Sequence, residues 1–195
     1  MATRQLRVGV LALQGAFAMH LAMLARLGVQ AIEVRKPEDL DACDALIIPG
    51  GESTVIFKQM RFINFIEPLL DFAKSKPLFG TCAGLILMSN TVVGEKTVEP
   101  LNLLNVSIER NAFGRQAESF ETDIDFLADT KHRVSIPATF IRAPRIRHVG
   151  EGVKVLATFN DEPVLVQQGL HLGAAFHPEL TNDPILHLYF LERLK

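Results

Sequence analysis

Short apolar runs alternate with longer stretches of helical spacing through the first half of this chain, and that alternation narrows its possible folds. Val8 to Leu13 is an apolar run ending at Gln14-Gly15, a buried strand meeting a turn. Phe17, Leu21, Leu24 and Leu27 follow at helical spacing, and Gly28 is a good helix stop. Ala31 to Val34 reads as the next strand. Ala45 to Ile48 reads as a third, ending at Pro49-Gly50-Gly51. Val55, Ile56, Met60, Ile63, Ile66 and Leu70 predict a long amphipathic helix, with an interruption near Arg61-Phe62. Leu78-Phe79 is the fourth strand. Strand alternating with helix argues for an α/β fold of three layers around a mostly parallel, doubly wound sheet.

The second half is richer in strands. Val106 to Glu109, Ala138 to Ile141, Val153 to Phe159, Pro163 to Gln167 and Leu172 to Phe176 are the candidates, with a hairpin turn at Asn160-Asp161-Glu162. They predict an antiparallel extension of the sheet. Ile185, Leu188, Tyr189 and Leu194 suggest a closing helix, and Ala128 to Arg133 a polar loop. No linker or repeat divides the chain, so residues 1–195 are read as one domain.

The fourth strand runs into Gly80-Thr81-Cys82-Ala83-Gly84 and then into the apolar Leu85-Ile86-Leu87-Met88. A strand, a sharp turn carrying a nucleophile and a helix make a nucleophile elbow. Glycines two before and two after Cys82 let the backbone bend and neighbouring elements approach. At the first turn of a helix, the dipole and free N–H groups favour thiolate over a thiol that otherwise titrates near ~8.5. A free cysteine is as readily a small core residue, so the elbow alone does not decide. His177-Pro178-Glu179 adds the rest, directly after the apolar Leu172 to Phe176. A cysteine nucleophile needs a base, and the base needs a group that fixes its tautomer; a His and a Glu two residues apart supply both. In a parallel sheet Cys82 and His177 both fall at carboxyl ends of strands, where sites of open α/β sheets form.

These two motifs resemble those of the class I, triad-type glutamine amidotransferases. Further blocks resemble, more specifically and in order, the glutaminase subunits of pyridoxal 5′-phosphate synthases. They are Leu13-Gln14-Gly15, Pro49 to Thr54, Phe79 to Leu85, Glu109-Arg110-Asn111 with Phe113 to Gln116, Phe140 to Pro144, and Phe176 to Leu180. The resemblance implies the flavodoxin-like fold of class I amidotransferases and hydrolysis of L-glutamine to glutamate and ammonia. Cys82 is then the nucleophile, His177 the acid and base, and Glu179 the residue that holds the imidazole. The oxyanion needs N–H donors; the elbow offers Ala83, and a second, Gly51, is expected from the Gly50-Gly51 turn. Glycine rotates that peptide at low cost, so the hole can be assembled or dismantled. By resemblance, Gly51, Glu52, Ser53, Arg110, Ile141 and Arg142 contact glutamine. Arg forks suit its carboxylate and Glu52 its ammonium. Gln14, near the same edge, is either structural or lines an exit toward a partner.

The resemblance also implies that partner, a (β/α)₈-barrel synthase subunit that takes the ammonia and builds the cofactor. The chain itself is expected to bind no cofactor: Gly50 to Thr54 lacks the lysine of a phosphate loop, and no dinucleotide fingerprint follows the first strand. No His, Cys or carboxylate spacing predicts a metal. Twenty basic and 22 acidic residues leave a net charge of −2, no basis for binding nucleic acid or an anionic membrane. There is no apolar run near ~18 residues and no secretory signal after Met1, and the two cysteines make no disulfide framework, which together point to the cytoplasm. Cys43 is read as structural. Two other readings stay open: an amidase or peptidase of similar fold, and a non-catalytic binding module. The first has no use for paired recognition of amino-acid charges by Arg110, Arg142 and Glu52, and the second none for Cys82, His177 and Glu179.

Overall fold

Each apolar run of the first half forms a strand in the computed structural model, which describes residues 5–94, 97–110, 119–128 and 132–194. Strands β1 (Arg7–Leu11), β2 (Gln30–Val34), β3 (Ala45–Ile48) and β4 (Leu78–Thr81) alternate with helices α1 (Phe17–Arg26), α2 (Ser53–Phe62) and α3 (Ile66–Ala73). Helix α4 (Ala83–Met88) follows β4 at once. β1 ends at Leu11, short of the expected Leu13, so Gln14 lies in the loop beyond it. The long helix after Gly50-Gly51 is two helices, and the break lies just past Arg61-Phe62. There Asn64 takes φ 54°, a left-handed conformation that closes α2.

The second half contributes β5 (Thr91–Val93), β6 (Val106–Glu109), β7 (Phe120–Leu127), β8 (Arg133–Phe140), β9 (Arg145–Val149), β10 (Lys154–Phe159), β11 (Glu162–Gln168), β12 (His171–Ala174) and α5 (Ile185–Leu191). The main sheet has seven strands in the order β10-β11-β12-β4-β3-β1-β2. The five from β12 to β2 are parallel, and β11 and β10 make the antiparallel extension. Asn160 and Asp161, at φ 50° and 63°, form the two-residue turn between β10 and β11. Two expected strands do not join this sheet. β6 pairs with β5 and β9, and β8 forms a separate hairpin with β7.

β7 has no counterpart in the sequence reading because Glu121, Asp123 and Asp125 interrupt it. In the structure these acids face solvent while Ile124 and Phe126 turn inward, the alternation of a strand with one wet face. The expected polar loop at residues 128–133 falls between β7 and β8, with residues 129–131 outside the described part, as are Met1 to Arg4 and the 111–118 part of the Arg110 block.

Alternation along β4 fixes the layers. Phe79 packs on His20 of α1 and on His187 and Phe190 of α5. Gly80 faces the other way, against Gly84 and Met88 of α4, with α2 packed beyond. Helix α5 buries Leu186, His187, Phe190 and Leu191 and exposes Leu188. Its sequence, ILHLYFL, is apolar nearly all round, so periodicity alone offers two stripes. The parallel register brings the carboxyl ends of β3, β4 and β12 side by side, with Ile48 opposite Gly80 and Ala174 opposite Thr81.

Candidate active site

Cys82 follows β4 with φ 48° and ψ −101°, a conformation sparsely populated by non-glycine residues. Such strain costs of order 1–3 kcal/mol and persists where the surroundings enforce it. Here the Cys82 N–H donates to the Ala174 carbonyl (2.8 Å), prolonging the β4–β12 ladder by one residue. Glycine is required at position 84, since a Cβ there would stand 2.0 Å from the Ile48 carbonyl oxygen. The turn presents Sγ to the cleft, 4.0 Å from the Ile141 carbonyl oxygen.

His177 is held by its backbone, whose N–H donates to the Thr139 carbonyl at 2.8 Å. Pro178 then starts a tight turn that brings Glu179 back under the ring. His177 Nδ1 lies 2.8 Å from Glu179 Oε1, which leaves the other ring nitrogen for the Cys82 thiol. Gly50 closes the assembly: a Cβ there would lie 2.3 Å from His177 Cε1 and 3.3 Å from Cys82 Cβ. Burial opposes a charge on His177, but the contacts with Cys82 and Glu179 outweigh it and raise its pKa to about 10. Burial likewise opposes the Glu179 carboxylate, and the charged, hydrogen-bonded His177 ring with the polar edge of His20 outweighs it, holding that group below the usual range.

The buried polar cluster extends behind this pair. His20 Nε2 lies 3.4 Å from Glu179 Oε2 and 3.2 Å from Thr81 Oγ1, and His20 Nδ1 lies 3.0 Å from His187 Nε2. The His20–Glu179 contact is not an ion pair, because burial depresses His20 and keeps it neutral. His20 lies within the helix expected from Phe17 to Leu27, but the sequence alone assigned no role to it, to Thr81 or to His187. A signal existed: His20 stands between Phe17 and Leu24 on the apolar stripe of α1, where a polar residue must find a buried partner.

Glu52, Ser53, Gly51, Arg110, Ile141, Arg142, Cys82 and His177 converge on one cleft of about 260 Å³, joined by Gln14, Gly15, Ala16, Gly50 and Ile86. Ala83 lies beneath Cys82 as the first residue of α4, where backbone N–H groups lack helical partners. Arg110 Nη2 contacts Glu52 Oε1 at 2.9 Å. Glu52 also caps α2, accepting from the Thr54 hydroxyl (2.6 Å) and N–H (3.3 Å). The Thr54 hydroxyl does most to lower its pKa, and the Thr54 N–H, Arg110 and Arg142 add to it against the opposing effect of burial. Arg142 adopts φ 44°, a second strained residue in the same cleft. Ser53 Oγ is buried and has no hydrogen-bond partner among the described residues.

Gln14 anchors the glycine turn. Its Oε1 accepts from the Glu52 N–H at 2.8 Å, which favours the structural reading of that side chain. The Gly50 N–H donates to Thr81 Oγ1 (3.1 Å), and the Gly50 carbonyl accepts from the Ala16 N–H (2.9 Å). The peptide is trans and planar, so the Gly51 N–H points opposite to that carbonyl.

The profile of the SNO glutamine amidotransferase family matches residues 10–195. The pyridoxal 5′-phosphate synthase subunit PdxT of Pelotomaculum thermopropionicum is 50% identical over 191 residues, covering 96% of this chain and 95% of that protein. The PdxT of Thermus thermophilus is 51% identical over 187 residues, covering 95% and 96%. A crystal structure of a glutamine amidotransferase superposes with a TM-score of 0.90 at 50% identity, covering 96% of this chain and 98% of that one. The structure of PurLQS from Thermotoga maritima, at 17% identity and a TM-score of 0.71, shares the fold.

Proposed function

Because this chain belongs to the SNO glutamine amidotransferase family, we propose that its cleft hydrolyses L-glutamine through Cys82, His177 and Glu179. The chain is the glutaminase subunit of a pyridoxal 5′-phosphate synthase and delivers ammonia for vitamin B6 biosynthesis. The observation that carries the site is the His177 ring, bound on one nitrogen to buried Glu179 and offering the other to a cysteine on a strained elbow.

In the first half-reaction the proton of the Cys82 thiol rests on His177, as the raised pKa of that ring implies, and the sulfur attacks the side-chain amide carbon. The oxyanion forms within reach of the Ala83 and Gly51 N–H groups; one such donor is typically worth ~10²–10³ in rate. His177 then protonates the departing nitrogen, ammonia leaves, and a thioester remains. A water gives its proton to His177, attacks the thioester carbon through a second oxyanion, and releases glutamate while the thiol regains its proton. Glu179 keeps the ring in one tautomer throughout.

Arg110 and Arg142 meet the α-carboxylate of glutamine, Glu52 its ammonium, and the unpartnered Ser53 hydroxyl takes a further polar atom of the substrate. This paired recognition suits a free amino acid rather than a peptide. The partner is a (β/α)₈-barrel synthase subunit, and one domain over residues 1–195 works with it in the cytoplasm. Among the described residues no helix is long and apolar enough to cross a membrane.

The test is ammonia release from glutamine. Cys82→Ala is expected to abolish it with folding intact, while Cys43→Ala keeps most of it. An electrophilic glutamine analogue is expected to label Cys82 alone by peptide mass mapping. Equal loss from both cysteine variants would refute the assignment.

A further inference from the structure

The polar groups behind His177 do not stop at the carboxylate it touches. One oxygen of Glu179 is taken by His177 Nδ1. The other, Oε2, is fully buried and accepts no hydrogen bond among the described residues; it lies 3.4 Å from His20 Nε2, whose hydrogen-bond partner in this state is Thr81 Oγ1 at 3.2 Å. His20 is itself wholly buried, reached from α1 across the sheet face, and its ring meets Thr81 Oγ1 and His187 Nε2.

Proton positions in this cluster follow from what each atom can do. A carboxylate only accepts, so a hydrogen on His20 Nε2 avoids setting two lone pairs 3.4 Å apart, and that N–H is shared between Thr81 Oγ1 at 3.2 Å and Glu179 Oε2. His20 Nδ1 is then an acceptor, and His187 Nε2 must donate to it. That leaves His187 Nδ1 as a bare lone pair, and this atom is buried without a partner. The opposite arrangement would aim a lone pair at the carboxylate and bury an unpaired N–H. Burial keeps both rings neutral and takes His187 down to about 3. The titratable groups that face His20 are Glu179, His177 and His187. Among the described residues no group of three or more His, Cys, Asp or Glu side chains is placed to hold a metal ion.

We infer that His20 is a positioning residue of the glutaminase site: its neutral Nε2–H pins Glu179 Oε2 so that the carboxylate cannot rotate away from His177. The inference rests on the reading of Cys82, His177 and Glu179 above. A carboxylate tied by one oxygen can still turn about its last bond; a second donor removes that freedom. A neutral donor does this without cancelling the negative charge that sustains the His177 imidazolium, which a cationic partner would do. Contacts of this kind are often long in an empty site and tighten when the reacting complex forms. Thr81 widens the role, because the hydroxyl that meets His20 also accepts the Gly50 N–H beside the expected oxyanion donor. His187 sets the tautomer of His20 from α5.

The experiment compares His20→Leu and His20→Gln, each alone and with Glu179→Gln, by steady-state glutamine hydrolysis on the full chain saturated with its synthase partner. Losing an outer partner of a working histidine typically costs about 10–100-fold. His20→Leu is expected to lose that much in kcat while KM for glutamine stays within about twofold. His20→Gln, whose amide N–H can reach Glu179, is expected to recover most of the loss. With Glu179→Gln already present, His20→Leu is expected to cost less than about twofold, because the group it positions is gone. Equal losses in both backgrounds, or equal losses from Leu and Gln in folded protein, would overturn the inference. If His20→Leu does not fold, nitrogen NMR of the unaltered protein decides instead. A neutral His20 protonated on Nε2 supports the assignment, and protonation on Nδ1 or on both nitrogens overturns it. Hydrolysis surviving in Cys82→Ala would sink the nucleophile assignment itself. An inactive Cys82→Ala beside a fully active His20→Leu would sink only the role of His20.

Discussion

At the residue scale, two charged side chains of the cleft are paired with each other. Arg110 and Glu52 touch at 2.9 Å. Glu52 is 46% exposed, so the pair lies in well-screened surroundings and adds little to stability. On the proposed reading its worth lies in binding, because glutamine brings one charge of each sign and can separate the two partners. Arg110→Ala is therefore expected to lower kcat/KM for glutamine about 10- to 100-fold, mostly through KM, as for the loss of hydrogen bonds to a charged group. Thermal midpoints should barely move. A large drop in melting temperature with unchanged kinetics would make Arg110 a structural residue. Legibility at this scale follows chain contiguity. Cys82, His177 and Glu179 were readable because five residues of elbow and three of His-Pro-Glu each hold their chemistry in one stretch. His20 was not, because its meaning depends on Glu179, far along the chain and across the sheet.

At the element scale, α1 and α5 are locked to the sheet partly through neutral histidines, and this has a sign in pH. His187 titrates at about 3 in the fold, through burial first and then the nearby His20, against 6.5 when unfolded. Between those values the unfolded chain binds a proton that the folded chain does not. Stability present above pH ~6.5 is thus lost as pH falls toward ~3, at about 1.4 kcal/mol per pH unit for one such group. His20, also depressed, acts in the same direction. His187→Gln keeps a donor toward His20 but does not titrate, so its unfolding free energy should fall less steeply with acid. The measurement is denaturant unfolding at several pH values from 7 to 4. Parallel slopes in the two proteins would show that His187 takes up no proton on unfolding. The elements themselves were largely legible: four apolar runs, each with its turn, gave four parallel strands. What escaped was the small sheet of β5, β6 and β9, because a strand's partner is chosen by tertiary packing rather than by its own residues. The hairpin of β7 and β8 escaped for that reason and because alternate acids hide its apolar face.

At the scale of the whole molecule, the cleft is assembled from segments that belong to different layers. The 14–16 loop and the Gly50-Gly51 turn leave the parallel sheet, Arg110 follows the small sheet of β6, and Ile141-Arg142 ends the separate β8 strand. No single element fixes all of them relative to Cys82. The glycine turn is held by two light ties, the Ala16 N–H on the Gly50 carbonyl and the Gln14 side chain on the Glu52 N–H. A surface that docks on the 14–16 loop touches one end of both ties. If it contacts the productive arrangement alone, it shifts the population toward that arrangement, tenfold for each 1.4 kcal/mol of differential contact. Coupling of this kind would spare glutamine when no acceptor for ammonia is present. Saturation with the synthase partner is therefore expected to raise kcat/KM for glutamine at least several-fold over the isolated chain. Gln14→Ala, which cuts one tie and leaves Cys82, His177 and Glu179 in place, should shrink that ratio. Equal kcat/KM with and without the partner would mean that the cleft is already complete in the isolated chain, with both ties sufficient to hold it.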